Sequence, residues 1–128
     1  MNIRRHFSNF YVAGFTYYDG LEVIHELELG THLFLKHEPE NPYDTNAVAI
    51  YYHSPILNKD VQLGYIPRSQ NPMICLFLKC GHTDLFEVQI NQISKEEHSE
   101  KQIGISVKVR FKEKEVEPKK VVKKKGGG

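Results

Sequence analysis

The stretch NAVAIYYHSPILNKDVQLGYI, residues 46–66, decides the fold. Residues 46–52 and 61–66 are dense in β-branched and aromatic side chains, and the polar linker 53–60 between them predicts an antiparallel hairpin. Upstream, Pro39-Glu40-Asn41-Pro42-Tyr43-Asp44 is turn chemistry. Each proline presets φ and biases the residue before it toward extended backbone, so residues 39–44 form a stiffened loop. Residues 32–38 alternate and predict a strand leading into that loop. Downstream, Asn71 is a good N-cap, Pro72 falls where a missing N–H costs nothing, and Gly81 stands just past Cys80. A mostly buried helix is expected between them.

Farther out, residues 9–15, NFYVAGF, read as a first strand, and Tyr17-Tyr18-Asp19-Gly20 as a turn. Leu21, Ile24 and Leu27 recur at a spacing of three, which predicts a short amphipathic helix stopped by Gly30. Residues 85–93 and 103–111 alternate as two more strands around a charged connection, 94–101. Six short strands with two short helices make a mainly β chain. Its expected architecture is a small antiparallel barrel, because closing a short sheet removes its exposed edges. Beyond Phe111 the periodic pattern stops. The domain is expected to span 1–111, and the tail 112–128, KEKEVEPKKVVKKKGGG, cannot bury enough apolar surface to offset the cost of ordering it.

The formal net charge of the 128 residues is +1, but the tail holds seven Lys and three Glu against ten Lys/Arg and thirteen Asp/Glu in the body. An acidic body, −3, therefore carries a basic tail, +4. That distribution argues against a broad phosphate-tracking surface, so any nucleic-acid site must be local. Lys119, Lys120, Lys123, Lys124 and Lys125 could assist phosphate binding, although a terminal lysine run more often serves solubility. No apolar run reaches the length of a membrane span, and MNIRRHFSNF lacks an apolar signal-peptide core, so an intracellular, cytoplasmic chain is expected, nucleoid-associated if bacterial. Cys75 and Cys80 are too few and too close for a disulfide framework.

Three separated stretches, GFTYYDG (14–20), EPENPYDTNAVAI (38–50) and LGYIPR (63–68), together resemble the HIRAN domain over roughly residues 9–93. The resemblance implies an OB-like barrel that holds single-stranded DNA, in particular a 3′-hydroxyl end. It implies that Tyr17 stacks on a base, that Tyr43 is its partner on the other face, and that Asp44 accepts a hydrogen bond from the terminal hydroxyl. Tyr18 and Asn41 belong to the same motifs, and Tyr65 and Arg68 match positions facing the DNA backbone, where relatives tend to offer a His and a Lys. Thr16 stands where end-binding relatives carry an Arg. The changes at Thr16 and Tyr65 remove donors or charge from the phosphate contact.

The residue chemistry agrees with that expectation on its own terms. Aromatic rings stack on any base, at roughly 1–3 kcal/mol each, so paired tyrosines suit a sequence-tolerant single-strand site. A carboxylate beside them repels a phosphate but accepts from a free hydroxyl, which would select a strand end. The bland alternatives are that one of Tyr17 and Tyr18 packs inward, that Asp44 or Asn46 caps a tight loop through backbone N–H groups, and that Arg68 pairs with an acidic neighbour. Cys75, Cys80 and His82 are weak metal candidates, better read as buried small cysteines and a surface histidine, and no cofactor is implied. His25, His32 and His37 read as surface residues.

The leading expectation is thus a non-catalytic DNA-binding module. Two other classes remain: an adaptor that contacts a protein partner of DNA repair or replication through the tyrosine-rich face, and a metal-dependent hydrolase acting on nucleic acid, for which no catalytic motif is present.

Overall fold

A computed structural model describes residues 3–94 and 102–111. Six strands, β1 (Ile3–Tyr11), β2 (His32–His37), β3 (Val48–Ser54), β4 (Lys59–Tyr65), β5 (Phe86–Ile93) and β6 (Ile103–Phe111), form one antiparallel sheet in the order β1-β6-β5-β2-β3-β4. Two short helices, α1 (Gly20–Val23) and α2 (Asn71–Lys79), and 3₁₀ turns at Phe15–Tyr17, Ile24–Glu26 and Arg68–Gln70 complete the described chain. Among the described residues no helix is long and apolar enough to cross a membrane.

The hairpin read from residues 46–66 is β3–β4, paired from Ala49↔Tyr65 to Ser54↔Lys59 with a register shift between Ile50 and Tyr51. The two halves of the sheet meet at only two pairs, His32↔Gln89 and Leu33↔Val88. The inward residues of β5 and β6 (Phe86, Val88, Ile90, Ile103, Ile105, Val107) face Leu33, Val48, Ile50, Val61 and Leu63 from the other half. Phe15, Val23, Ile74 and Leu78 complete the core. This is the period-2 burial of a sheet with one packed face.

The expected closed barrel is not what the hydrogen bonds make. β1 and β4 are the two ends of the strand order, and no ladder joins them. Just past β1 the chain crosses toward β4 instead: Ala13 N–H donates to Tyr65 C=O at 2.9 Å, and Tyr65 N–H donates to Ala13 C=O at 3.0 Å, as one isolated bridge. Gly14 then turns at φ 75° and sends Phe15 into the core. This is why residues 9–15 are not one strand: β1 takes the earlier residues 3–11, and the extended run breaks at Gly14.

The strong helix also starts differently. Asn71 is the first residue of α2 rather than its cap, and Gln70 in the cap position makes no side-chain cap bond. The 3₁₀ turn Arg68–Gln70 already feeds the helix, which leaves the Asn71 amide for another partner. Gly81 follows Cys80 at φ 89°, as the stop signal predicts. Cys75 is buried but Cys80 is exposed, correcting the reading of both as buried. Five residues at about 3.6 per turn set their side chains roughly 140° apart.

The connection 95–101 and the tail 112–128, with its proposed solvated character and lysine run, lie outside the described residues.

The Ala13–Tyr65 bridge depends on Gly64. A Cβ there would stand 2.3 Å from Ala13 O and 2.6 Å from Val12 Cγ1, and the residue's φ is 155°. Gly64→Ala is expected to destabilise the fold by about 2 kcal/mol or more, because the obstruction is backbone and cannot rotate aside. Urea unfolding of the variant beside the native chain measures this, and an unchanged midpoint contradicts it.

Candidate nucleic-acid interface

Beyond the bridge, the turn Phe15–Tyr17 and the residue after it fold back over β4. The ring of Tyr18 meets that of Tyr65 edge-on, with centroids 5.4 Å apart and planes at 72°, a favoured geometry for an aromatic pair. Gly14 permits this approach, since a Cβ there would lie 3.1 Å from Tyr18 Cε2.

The Tyr65 hydroxyl donates to Glu38 Oε1 at 2.7 Å, and Asn41 Nδ2 donates to the same oxygen at 3.1 Å. Burial, and next the bond to Glu38, push the Tyr65 pKa up to about 12. The phenol therefore stays protonated and remains a donor through neutral pH.

Asn41 organises the loop it begins. Its Oδ1 accepts from the backbone N–H of Tyr43 at 2.9 Å and of Asp44 at 3.1 Å. Asp44 Oδ1 in turn accepts from Asn46 N–H at 2.9 Å, as an Asx-type loop should. His37, half-buried rather than fully at the surface, supports the far side through Nε2 and Thr45 C=O at 2.9 Å.

The other Asp44 oxygen, Oδ2, accepts from Asn71 Nδ2 at 2.9 Å and lies 3.8 Å from Arg68 Nε. Arg68 Nη2 donates to Tyr43 C=O at 3.2 Å. The Asn71 bond, followed by the Asn46 N–H, holds the Asp44 carboxyl below the usual aspartate range; burial acts against them, and Arg68 adds a smaller push downward. Asp44 keeps unused lone pairs on both oxygens, since an ionised carboxylate offers about four acceptor positions.

These residues enclose a cleft of about 260 Å³. It is lined by the buried or half-buried Ala13, Ala47, Ile66 and Asn71, by the rings of Tyr18, Tyr43 and Tyr65, and by Asn41, Asp44 and the exposed Arg68. The volume suits one planar ring system rather than a length of chain. A second, wider cleft of about 680 Å³ adjoins the first, sharing Tyr18, Asn41, Tyr43 and Tyr65 and adding Glu38 and Glu40. Arg68 is the only cationic side chain among the described residues lining either cleft.

The structure brings together six of the seven residues singled out from sequence: Tyr18, Asn41, Tyr43, Asp44, Tyr65 and Arg68. Tyr17 is not among them. It is 80% exposed and lines neither cleft, so of the two neighbours it is Tyr18 that lines both clefts with Tyr43. Two contributors escaped the sequence reading. Glu38 passed as the polar end of a strand, and Asn71 carries the pattern of an N-cap, which hides a side chain that reaches across to a loop.

Cys75 lies beneath the site rather than in it, its thiol donating to Asn46 Oδ1 at 3.7 Å, with burial raising its pKa. Cys80 is exposed, and His82 packs by its ring against Phe77 at 6.4 Å. Among the described residues no group of three or more His, Cys, Asp or Glu side chains is placed to hold a metal ion.

Residues 6–112 match the family model of the HIRAN domain. No curated protein matches the chain. A crystal structure of a protein from Lactobacillus plantarum is similar at a TM-score of 0.68 and 19% identity, covering 86% of this chain and 98% of that one. The HIRAN domain of human HLTF is similar at a TM-score of 0.56 and 18% identity, covering 88% of this chain and 77% of that one. At these identities the two structures establish a shared fold.

The Asn71–Asp44 bond predicts a titration. In an Asn71→Ala variant the Asp44 pKa is expected to rise toward that of an ordinary aspartate, read by NMR of the side-chain carboxyl. Because the folded-state pKa lies below the unfolded one, Asp44 contributes stability at pH above the unfolded value and loses it as the pH falls through the folded value. The variant should narrow that window. An Asp44 titration identical to that of the native chain contradicts the assignment.

Proposed function

The chain belongs to the HIRAN domain family, whose members are nucleic-acid-binding modules, and from that premise we propose that its aromatic cleft captures the 3′-hydroxyl end of single-stranded DNA. The observation that carries this reading is that one carboxylate, Asp44, lines the same cleft as three tyrosines, Tyr18, Tyr43 and Tyr65.

A terminal base enters among those rings and stacks on Tyr43, whose ring is 85% exposed and free to receive it. The sugar then meets Asp44. A free hydroxyl donates to a remaining lone pair of the carboxylate, whereas a phosphate at that position places like charges together, so the site favours a terminus over an internal nucleotide. Arg68, its side chain 78% exposed, takes the phosphate on the 5′ side of that nucleotide. Nothing in this arrangement activates water or a nucleophile, and the module binds without turning the strand over.

Binding should be modest and weakly salt-dependent. One contacted phosphate gives a log–log salt slope of about −0.7 for a single strand, in keeping with one cation at the rim.

Fluorescence anisotropy with one oligonucleotide ending in either a 3′-hydroxyl or a 3′-phosphate tests the mechanism. The hydroxyl form should bind more tightly, Asp44→Asn should erase most of the difference, and Tyr43→Ala should weaken binding by about fivefold or more. Equal binding of both ends by the native protein would falsify end recognition. Capture of a protein partner that survives nuclease treatment, with no binding of either oligonucleotide, would assign the face to an adaptor instead.

A further inference from the structure

A second aromatic surface lies on the same sheet as the cleft. Phe34 of β2 and Tyr51 of β3 are direct cross-strand partners, so their side chains leave the same face of the sheet. Their rings stack with centroids 5.7 Å apart and planes at 20°. Lys36 Nζ stands over the Tyr51 ring at 4.6 Å and 5.9 Å from that of Phe34. Core packing does not explain this pair: both rings are only half-buried, Lys36 is exposed, and none of the three belongs to the core cluster.

The register shows where this surface lies relative to the cleft. Lys36 pairs with Ala49, and Ala49 pairs with Tyr65. Lys36, Ala49 and Tyr65 thus form one row across the face, with Tyr65 already a wall of the cleft. Phe34 and Tyr51 form the next row, two residues or about 7 Å along the strands. The Ala49 side chain between Lys36 and Tyr65 is fully buried beneath its neighbours, so the surface of this row is made by the residues at its two ends. The carboxylates near the face are engaged, Glu38 by the Tyr65 hydroxyl and Asp60 by His53 Nδ1 at 2.8 Å.

We infer that the Phe34–Tyr51 pair with Lys36 is a second binding subsite for single-stranded DNA, taking a base a few nucleotides upstream of the captured end. This rests on the end-capture reading and extends it. The strand leaves the cleft past Tyr65, crosses the Ala49 row, and stacks a base on the aromatic pair while Lys36 meets the adjoining phosphate. Rings that accept any base, with a cation beside them, are the chemistry of a sequence-tolerant single-strand platform.

The test compares a 3′-hydroxyl dinucleotide with a 3′-hydroxyl octanucleotide by anisotropy on the full chain. The native protein should bind the octamer more tightly than the dimer. Tyr51→Leu and Phe34→Leu, which keep the apolar packing but lose the ring stack, should weaken the octamer by about fivefold each and leave the dimer unchanged. Lys36→Gln, an exposed change that spares the fold, should weaken the octamer alone and lower its salt slope. Equal dimer and octamer affinity in the native protein, or variants that bind the octamer as the native chain does, overturns the second subsite while end capture stands. Loss of dimer binding in Tyr43→Ala beside such a result confirms that the first site is intact. A native protein that binds neither oligonucleotide overturns both.

Discussion

The backbone of Ala13 lies against the backbone of Tyr65, and the geometry of the site follows from that approach. It requires Gly64, because any side chain there would occupy the space of the Ala13 carbonyl. Once made, it delivers the turn carrying Tyr18 onto β4, where Tyr18 and Tyr65 meet edge to face. Tyr65 then reaches Glu38, Glu38 receives Asn41, Asn41 fixes Tyr43 and Asp44, and Asp44 is held from behind by Asn71. The network runs from the first loop to α2, and its middle members, Tyr65, Glu38, Asn41 and Asp44, each hold two partners or more. Such mutual fixing is how a polar cluster becomes rigid enough to present a defined geometry to a ligand.

The sequence reveals much of this, and its limits have physical causes. The hairpin β3–β4, the alternation of β2, β5 and β6, and the helix ending before Gly81 all rest on local signals, namely period, turn residues and stop residues, and local signals can be read in one dimension. The bridge at Ala13 and the opening of the sheet between β1 and β4 are long-range facts, and residues 9–15 carry the composition of a strand whether or not Gly14 breaks them. The same limit applies at the site. Asn41, Tyr43 and Asp44 announce themselves by clustering in a proline-stiffened loop. Asn71 does not, because an asparagine before a proline at a helix start looks the same whether it caps its own helix or crosses to Asp44. Tyr17 and Tyr18 are neighbours in sequence with different fates, and only the turn Phe15–Tyr17 decides which of the two lines the cleft.

The charge on the cleft is arranged rather than merely present. Glu38 and Asp44 stand at the two ends of one loop, and each is met by donors: a phenol and an amide at Glu38, an amide and a backbone N–H at Asp44, with the Arg68 guanidinium 3.8 Å from Asp44. At Asp44 these bonds hold the carboxyl below the usual aspartate range while occupying some of its lone pairs. The interior of the cleft is therefore an acceptor-rich, aromatic space, and its one cation sits at the edge.

Tyr43 shows what the loop achieves. Its N–H is held by Asn41 and its carbonyl by Arg68, yet its ring stands almost wholly in solvent. The peptide on either side is already hydrogen-bonded, so a contact at the ring has chiefly two side-chain torsions left to freeze. Fixing a backbone residue costs roughly 1–2 kcal/mol of conformational entropy, and a loop that met its ligand while still mobile would lose that at several positions at once. Here folding has already absorbed that loss. An aromatic surface so prepared can engage and release with little reorganisation of the chain behind it, which suits contacts that are brief and frequently renewed.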